Sequence, residues 1–265
     1  MQVNPDSLKA LYRATKAFLA LDRLDDALGA CDLALERAPE SADFTALRKK
    51  ASDRAALLKR RADELAEKKR RDQLLDDAVR VACVARGLWV DKVSGTDDAH
   101  TPKFDPDALP AYAKASLPPS EWRAPDPIRT PMLFPVIFLY PQHSQSDLIA
   151  EFHEDTTVGQ HLEAMFPPEA RGSLPWDPSG EYVASNLSVI AMTHQCRLLR
   201  VGHKLSLRTI MDQGAKDAPD GKPEHRDGLV LHNGAVSLAV FPKGSAAERT
   251  WIDAAKAQKN TGRVD

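Results

Sequence analysis

The sequence predicts an α+β fold: N-terminal helices that include one long helix, then a mostly antiparallel sheet with helices packed on it. Three observations carry this prediction. Residues 1–82 are rich in Ala, Leu and charged side chains, hold Gly29 as their one glycine, and have no proline between Pro39 and Pro102. Residues 87–130 are broken by repeated prolines (TPKFDPDALP, LPPSEW, APDPIRTP), and each X-Pro step pushes the preceding residue away from helix. Over 132–258, short apolar runs alternate with short amphipathic segments and turn residues. The expected organisation is a helical region over 1–85, a Pro-rich linker over 86–131 and a C-terminal α+β domain over 132–258.

The first helix should open at Pro5, with Leu8, Leu11, Tyr12, Thr15, Phe18 and Leu19 at helical spacing. A second helix is expected over 24–37. Asp22 is its candidate N-cap, and Asp25 and Asp26 put negative charge in its first turn, where the helix dipole favours it. The third begins near Ser41 and is long. Its residues 48–71 hold eleven Lys or Arg against four Asp or Glu. Ala55, Leu57, Leu58, Ala62, Leu65 and Ala66 give that helix a partial apolar side, which is expected to pack.

The first two helices match the 34-residue tetratricopeptide template when Leu8 takes its first position. Leu11, Ala14, Thr15 and Phe18 then fall at the packing positions of one helix, and Ala27, Cys31, Ala34 and Pro39 at those of the other. Small residues let the helices approach closely, and the proline ends the second. One copy is present, whereas a solenoid needs about three. Either further repeats precede Met1, which is the expectation, or the remaining helices pack differently. Lys9 and Arg13 are four residues apart, so they project from one face, one turn apart. With the packing positions buried, that face is the inner one. Two cations so placed can both donate charge-assisted hydrogen bonds to a terminal carboxylate.

In the C-terminal part, LFPVIFLY at 133–140 reads as a strand, and Pro135 confines it to a sheet edge or to a position that needs no N–H donor. Residues 156–166 read as a helix with Val158, Leu162, Met165 and Phe166 on one face. Thr156 or Thr157 can cap it, and Gln160 completes a capping box with Thr157. Residues 187–192 and 196–201 read as strands, and 206–212 as a short helix that buries Leu207, Ile210 and Met211. Strands over 229–231 and 235–241 flank HNG, where Asn233 and Gly234 can take the positive φ of a hairpin turn. Ser245 can cap a last helix that carries Trp251 and Ile252, and Trp176 in PWDP reads as an aromatic packed at a turn.

Composition and motifs narrow the function classes. Net charge is −2, so the chain as a whole has no bias towards nucleic acid or membrane. Cys31, Cys83 and Cys196 are far apart and form no CxxC, which reads as reduced thiols. With no apolar run of about 18 residues and no signal-peptide pattern, no membrane partner is expected, and the location should be cytoplasm or nucleus. His143, His153 and His161 lie near Asp147, Glu151, Glu154 and Asp155, but their spacing fits no metal motif. No serine sits in a GxSxG elbow, and no dinucleotide or phosphate-loop signature occurs. Neither catalysis nor a cofactor is expected. The basic stretch 48–71 supports a second reading, an RNA- or ribosome-associated factor with Arg60, Arg61, Arg70 and Arg71 as phosphate contacts. No aromatic interleaves these cations, and charge runs usually solvate a helix, so nucleic acid is the less favoured partner.

The stretch NPDSLKALYRATKAFLALDRLDDALGACDLALERAP resembles the third repeat of the tetratricopeptide repeat protein 4 / cyclophilin seven suppressor co-chaperone family. FPVIFLYPQHSQSDLIAEFHEDTTVGQHLEAMFP, LPWDPSGEYVASNLSVIAM and CRLLRVGHKLSLRTIM resemble that family's C-terminal wheel domain, with YP, QSD, HL, MF and PWD in the same order. The resemblance covers nearly the whole chain; the family's first two repeats, with their clamp Lys and two Asn, have no counterpart. It implies a co-chaperone adaptor without catalysis. Lys9 and Arg13 match the third repeat's clamp cations, which implies the acidic C-terminal tails of heat shock protein 90 and heat shock protein 70 as partners. It also implies support of client folding, with a translation elongation factor as the client.

Overall fold

The structure is a computed structural model and describes residues 7–90, 101–222 and 225–260. The helix start expected at Pro5 lies outside the described residues. The chain divides into two compact units, residues 1–72 and 73–265.

The first unit contains α1 (Leu8–Ala20), α2 (Leu24–Arg37) and the N-terminal part of α3 (Ala42–Ala85). The small template positions Thr15, Ala27, Cys31 and Ala34 are fully buried. The buried Thr15 hydroxyl donates to the Leu11 carbonyl oxygen at 2.9 Å, so the core carries no unpaired polar group there. Tyr12 and Phe44 meet edge to face at 6.0 Å and close the seam between α1 and α3.

Two expectations fail in this unit. Asp22 does not cap α2: Arg23 occupies that position with no side-chain cap bond. Asp22 has φ 53°, the left-handed conformation that a tight turn between helices needs and that Asp tolerates. Its carboxylate accepts two hydrogen bonds from the Arg54 guanidinium on α3, at 3.1 and 3.0 Å. The packed side of α3 also stops early. Ala51 is buried and Ala55, Leu57 and Leu58 half-buried, but Ala62, Leu65 and Ala66 are exposed. Helices of 13 and 14 residues are too short to cover one of 44.

Among the described residues of the second unit, eight strands form one sheet: β1 (Trp89–Val90), β2 (Lys103–Phe104), β3 (Met132–Tyr140), β4 (Gln145–His153), β5 (Leu187–Met192), β6 (Leu198–Val201), β7 (Val230–His232) and β8 (Ala235–Pro242). β8 lies at the centre, antiparallel to β5 and β7 and parallel to β3. The pairing of β1 with β7 is also parallel, and the others are antiparallel. One face of the sheet packs on the end of α3 and on α4 (Val158–Met165) and α5 (Leu207–Gly214), through Ala82, Val158, Leu162, Leu207, Ile210 and Met211. Alternate residues of β5 and β8 point the other way, and there Ile190, Ala239 and Phe241 meet Trp251 and Ile252 of α6 (Ala246–Asn260). Strands covered on both faces read in sequence as unbroken apolar runs.

The local signals hold. Thr157 and Gln160 form the capping box of α4. The Ser206 hydroxyl caps α5, and the Ser245 hydroxyl accepts from the Glu248 N–H at the start of α6. Asn233 and Gly234 both have positive φ, 48° and 80°, so the β7–β8 turn twists with its strands. Trp176 is half-buried and stacks on Tyr140 at 5.1 Å, while the buried Asp177 beside it accepts the backbone N–H of Glu181 and Tyr182. β3 is not an edge strand, because it pairs with β2, β4 and β8; Pro135 sits in a register shift between Phe134 and Val136, where its missing donor costs no ladder bond. β4 has no sequence signal because, of its nine residues, Phe152 alone is buried.

At the end of α3, Arg86 is 5% exposed and the Glu154 side chain, just past β4, is 0% exposed. Arg86 donates to both carboxylate oxygens of Glu154 and to the carbonyl oxygens of Ala82, Pro127 and Thr130. All five of its N–H groups thus have acceptors. Glu154 also accepts the Met132 N–H at 2.7 Å and lies 2.9 Å from the Arg208 guanidinium.

Arg86→Ala would leave Glu154 buried with its main counter-charge gone, and should lower stability by about 3–5 kcal/mol in urea denaturation. A loss below about 1 kcal/mol would show that the pair is incidental. A Cβ added at Gly228 would stand 1.9 Å from the Gly87 carbonyl oxygen. Backbone cannot swing aside as a side chain does, so Gly228→Ala should cost about 1–3 kcal/mol in the same assay. Burial would raise the pKa of Asp227, but hydrogen bonds from the Gln195 N–H, the Thr193 hydroxyl and the Arg197 guanidinium outweigh it and hold the carboxyl below its ordinary value. A depressed carboxylate contributes stability above the unfolded pKa and loses it as pH falls through the folded one. Stability measured from pH 7 downward should therefore show Asp227→Asn less stable than the natural chain at neutral pH. That gap should close in acid.

Candidate functional site

The site predicted from sequence lies on α1. Lys9 and Arg13 are both exposed, and neither has a hydrogen bond or ion pair among the described residues. Lys16 and Ala20 continue the same face at steps of three and four residues, so the stripe is Lys9, Arg13, Lys16, Ala20. The Lys16 ammonium rests 5.3 Å from the centre of the Tyr12 ring. Lys16 also lines a cleft of about 580 Å³ between α1 and α3, together with Leu19, Ala20, Asp22, Leu47, Lys50, Asp53, Arg54 and Leu57. The face of α1 that carries Lys9 and Arg13 thus continues to Lys16, which borders a concave surface. Two uncompensated cations about one turn apart can each donate to one carboxylate, which is the chemistry of a carboxyl-terminal clamp.

Sequence reasoning missed Lys16, Lys50 and Arg54. Lys16 was findable as the next member of the stripe, three residues after Arg13. Lys50 and Arg54 were not, because their place opposite α1 depends on how α3 folds back.

The other cationic candidates stand differently. Arg60 lies 3.7 Å from Glu64, and Arg70 and Arg71 both bond Glu67. Hydrogen bonds from Arg70 and Arg71 bring the Glu67 carboxyl down to about 2, so one of the two positive charges is offset within the helix. Arg61 is exposed. The histidines weighed as ligands are dispersed. His143 lies beside Trp176 and Tyr182, His153 is 3.6 Å from Asp105, and His161 stacks on Phe152. Their acidic neighbours are engaged as well: Asp147 accepts from Tyr140, Glu151 from Lys103, and Asp155 from Arg208. Among the described residues no three His, Cys, Asp or Glu side chains gather as a metal site, and no helix is long and apolar enough to cross a membrane.

Comparison with known proteins gives the same architecture. Residues 124–255 match the Cns1/TTC4 Wheel domain. Tetratricopeptide repeat protein 4 of Bos taurus is 31% identical over 189 residues, 71% of this chain and 47% of its own length. Its homolog from Dictyostelium discoideum is 28% identical over 196 residues, 73% of this chain and 45% of its own. The Hsp70/Hsp90 co-chaperone cns1 of Schizosaccharomyces pombe is 27% identical over 259 residues, 98% of this chain and 63% of its own. The chain spans about half the length of most of these relatives. In fold it is similar to the Hsp90 co-chaperone Cns1 from Saccharomyces cerevisiae, with a TM-score of 0.67 at 19% identity over 98% of this chain and 74% of that one. The chain belongs to the Cns1/TTC4 family and carries its Wheel domain.

Proposed function

We propose that this protein is a non-enzymatic co-chaperone adaptor that holds the acidic C-terminal tail of Hsp90, and of Hsp70, with Lys9 and Arg13. Its Wheel domain contacts the client, for which a translation elongation factor is the candidate from the family resemblance. One observation carries the reading: Lys9 and Arg13 are exposed and without a partner among the described residues, while Arg48 and Arg54 of the same unit are paired with carboxylates. A pair of cations left open on one helix face is arranged for an anion from outside. The relatives named Hsp70/Hsp90 co-chaperones support the same class of partner. An RNA-binding role for Arg60, Arg61, Arg70 and Arg71 has weaker support, since three of the four face local acids.

Titration calorimetry of the chain with an acidic peptide ending in a free carboxylate tests the clamp. Lys9→Ala and Arg13→Ala should each weaken binding by about 2 kcal/mol or more, roughly thirtyfold. Amidating the peptide's terminus should have a similar effect. Affinity unchanged by both substitutions removes the clamp.

A further inference from the structure

We infer that the outer edge of β4 is a docking edge for an extended protein segment in which apolar and basic residues alternate. The inference rests on the Wheel domain being a contact surface for protein and does not depend on the clamp. Among the described residues β4 pairs with β3 and with no other strand. In an antiparallel ladder, alternate residues turn their N–H and C=O groups away from the neighbouring strand. Over 145–149 those outward groups have no backbone partner among the described residues. β4 is nine residues long and buries one side chain, Phe152. Such an edge can template a further strand.

The two faces of the edge differ, because residues opposite one another share a face. On one face Asp147 and Ile149 lie opposite the buried Phe138 and Val136. Ile149 packs on the core, and Asp147 accepts from the Tyr140 hydroxyl at 2.9 Å, a neutral donor that leaves its charge in place. On the other face Leu148 lies opposite Ile137, and Ser146 opposite Leu139. Leu139 in turn stands beside Ala239 of β8, which α6 covers together with Ile190 and Phe241. Further out, Leu139 and Leu148 remain 36% and 44% exposed. A strand added beside β4 would set every second side chain against Leu148 and those between against Asp147. Apolar residues suit the first set, and Lys or Arg the second.

Charge decides against a second copy as the occupant. Gln145–His153 contains Asp147 and Glu151 and no Lys or Arg. Full-length antiparallel pairing of two β4 strands would put Asp147 opposite Glu151 twice, and like charges so placed are unfavourable. Glu151 is bonded by Lys103, whereas Asp147 has no ion pair among the described residues. The open charge on this edge is therefore negative, and a basic segment is favoured over an acidic or a wholly apolar one.

The probe is a heptapeptide of alternating lysine and valine with a fluorophore at its N-terminus and an amide at its C-terminus. Fluorescence anisotropy with the whole chain is the readout. Without a terminal carboxylate the peptide gives the clamp nothing to hold, so Lys9→Ala should leave its affinity unchanged. Asp147→Asn keeps an acceptor for the Tyr140 hydroxyl and removes the charge, and should weaken binding about fivefold. Methylating alternate backbone nitrogens of the peptide leaves the protein untouched; in one of the two frames it should weaken binding about tenfold or more. A peptide of alternating glutamate and valine should bind at least about tenfold more weakly than the lysine peptide. Binding that survives methylation in both frames, a glutamate peptide that binds as well, or no binding of the lysine peptide would each overturn the β4 edge. Any of these leaves the calorimetric outcome for the clamp as it stands. Sedimentation showing a dimer that Leu148→Lys dissociates would assign the edge to a second copy and overturn the proposal too.

Discussion

The buried pair of Arg86 and Glu154 is the constraint on which the second unit depends. It joins residues 68 positions apart in sequence, and the same guanidinium reaches Thr130 across 44 positions. Taking two charges out of water is costly, and attraction alone does not reliably offset that cost. Here the remaining hydrogen-bonding capacity is used as well. Arg86 fills its last three donors with backbone carbonyls, and Glu154 takes the Met132 N–H and the Arg208 guanidinium. The C-terminal end of α3, the proline-rich segment, the start of β3, the end of β4 and α5 therefore meet at one point. The segment 126–131, which lies outside helix and strand and holds a turn closed by the Thr130 N–H on the Asp126 carbonyl oxygen, is further fixed by the carbonyls that a buried cation requires.

The same principle, applied in reverse, marks the candidate site. Most arginines of the first unit that lie near an acid are paired: Arg48 with Asp32, Arg54 with Asp22, Arg70 and Arg71 with Glu67. These are surface pairs and contribute little to stability. Their value here is as a contrast, because Lys9 and Arg13 stand beside one another without an ion pair among the described residues. Exposed lysines and arginines are common, but two on one helix face, one turn apart, form a surface with a chemical preference. A carboxylate meets that preference, since it accepts from both cations at once.

The Wheel domain encloses the centre of its sheet by a different route. β8 is bordered by β3, β5 and β7 and is covered by helices on both faces, which leaves it no exposed edge. The PWD turn adds a second core detail. Trp176, Tyr140, Tyr182 and Phe166 pack at 4.9–6.4 Å with mostly edge-to-face geometry, and Asp177 ties the turn back on itself. A tryptophan in a proline-flanked turn thus serves the core.

What the sequence by itself determined was local. Helical periodicity placed α2, periodicity and caps placed α4 and α5, apolar runs placed β3, β5 and β8, and Asn233-Gly234 placed the hairpin turn, because each depends on residues within a few positions of one another. The i, i+4 spacing of Lys9 and Arg13 was legible for the same reason. The tertiary structure decided whatever depends on residues far apart: the parallel pairing of β3 with β8, the strand β4 whose side chains stay mostly in water, the end of packing along α3, and the move of Asp22 from cap to ion pair with Arg54. The cleft belongs to this second group, since Lys16 and Lys50 become neighbours only once α3 lies against α1. Local hydrogen bonds and rotamers are written in consecutive residues, but burial and charge pairing arise between surfaces that the chain brings together only on folding.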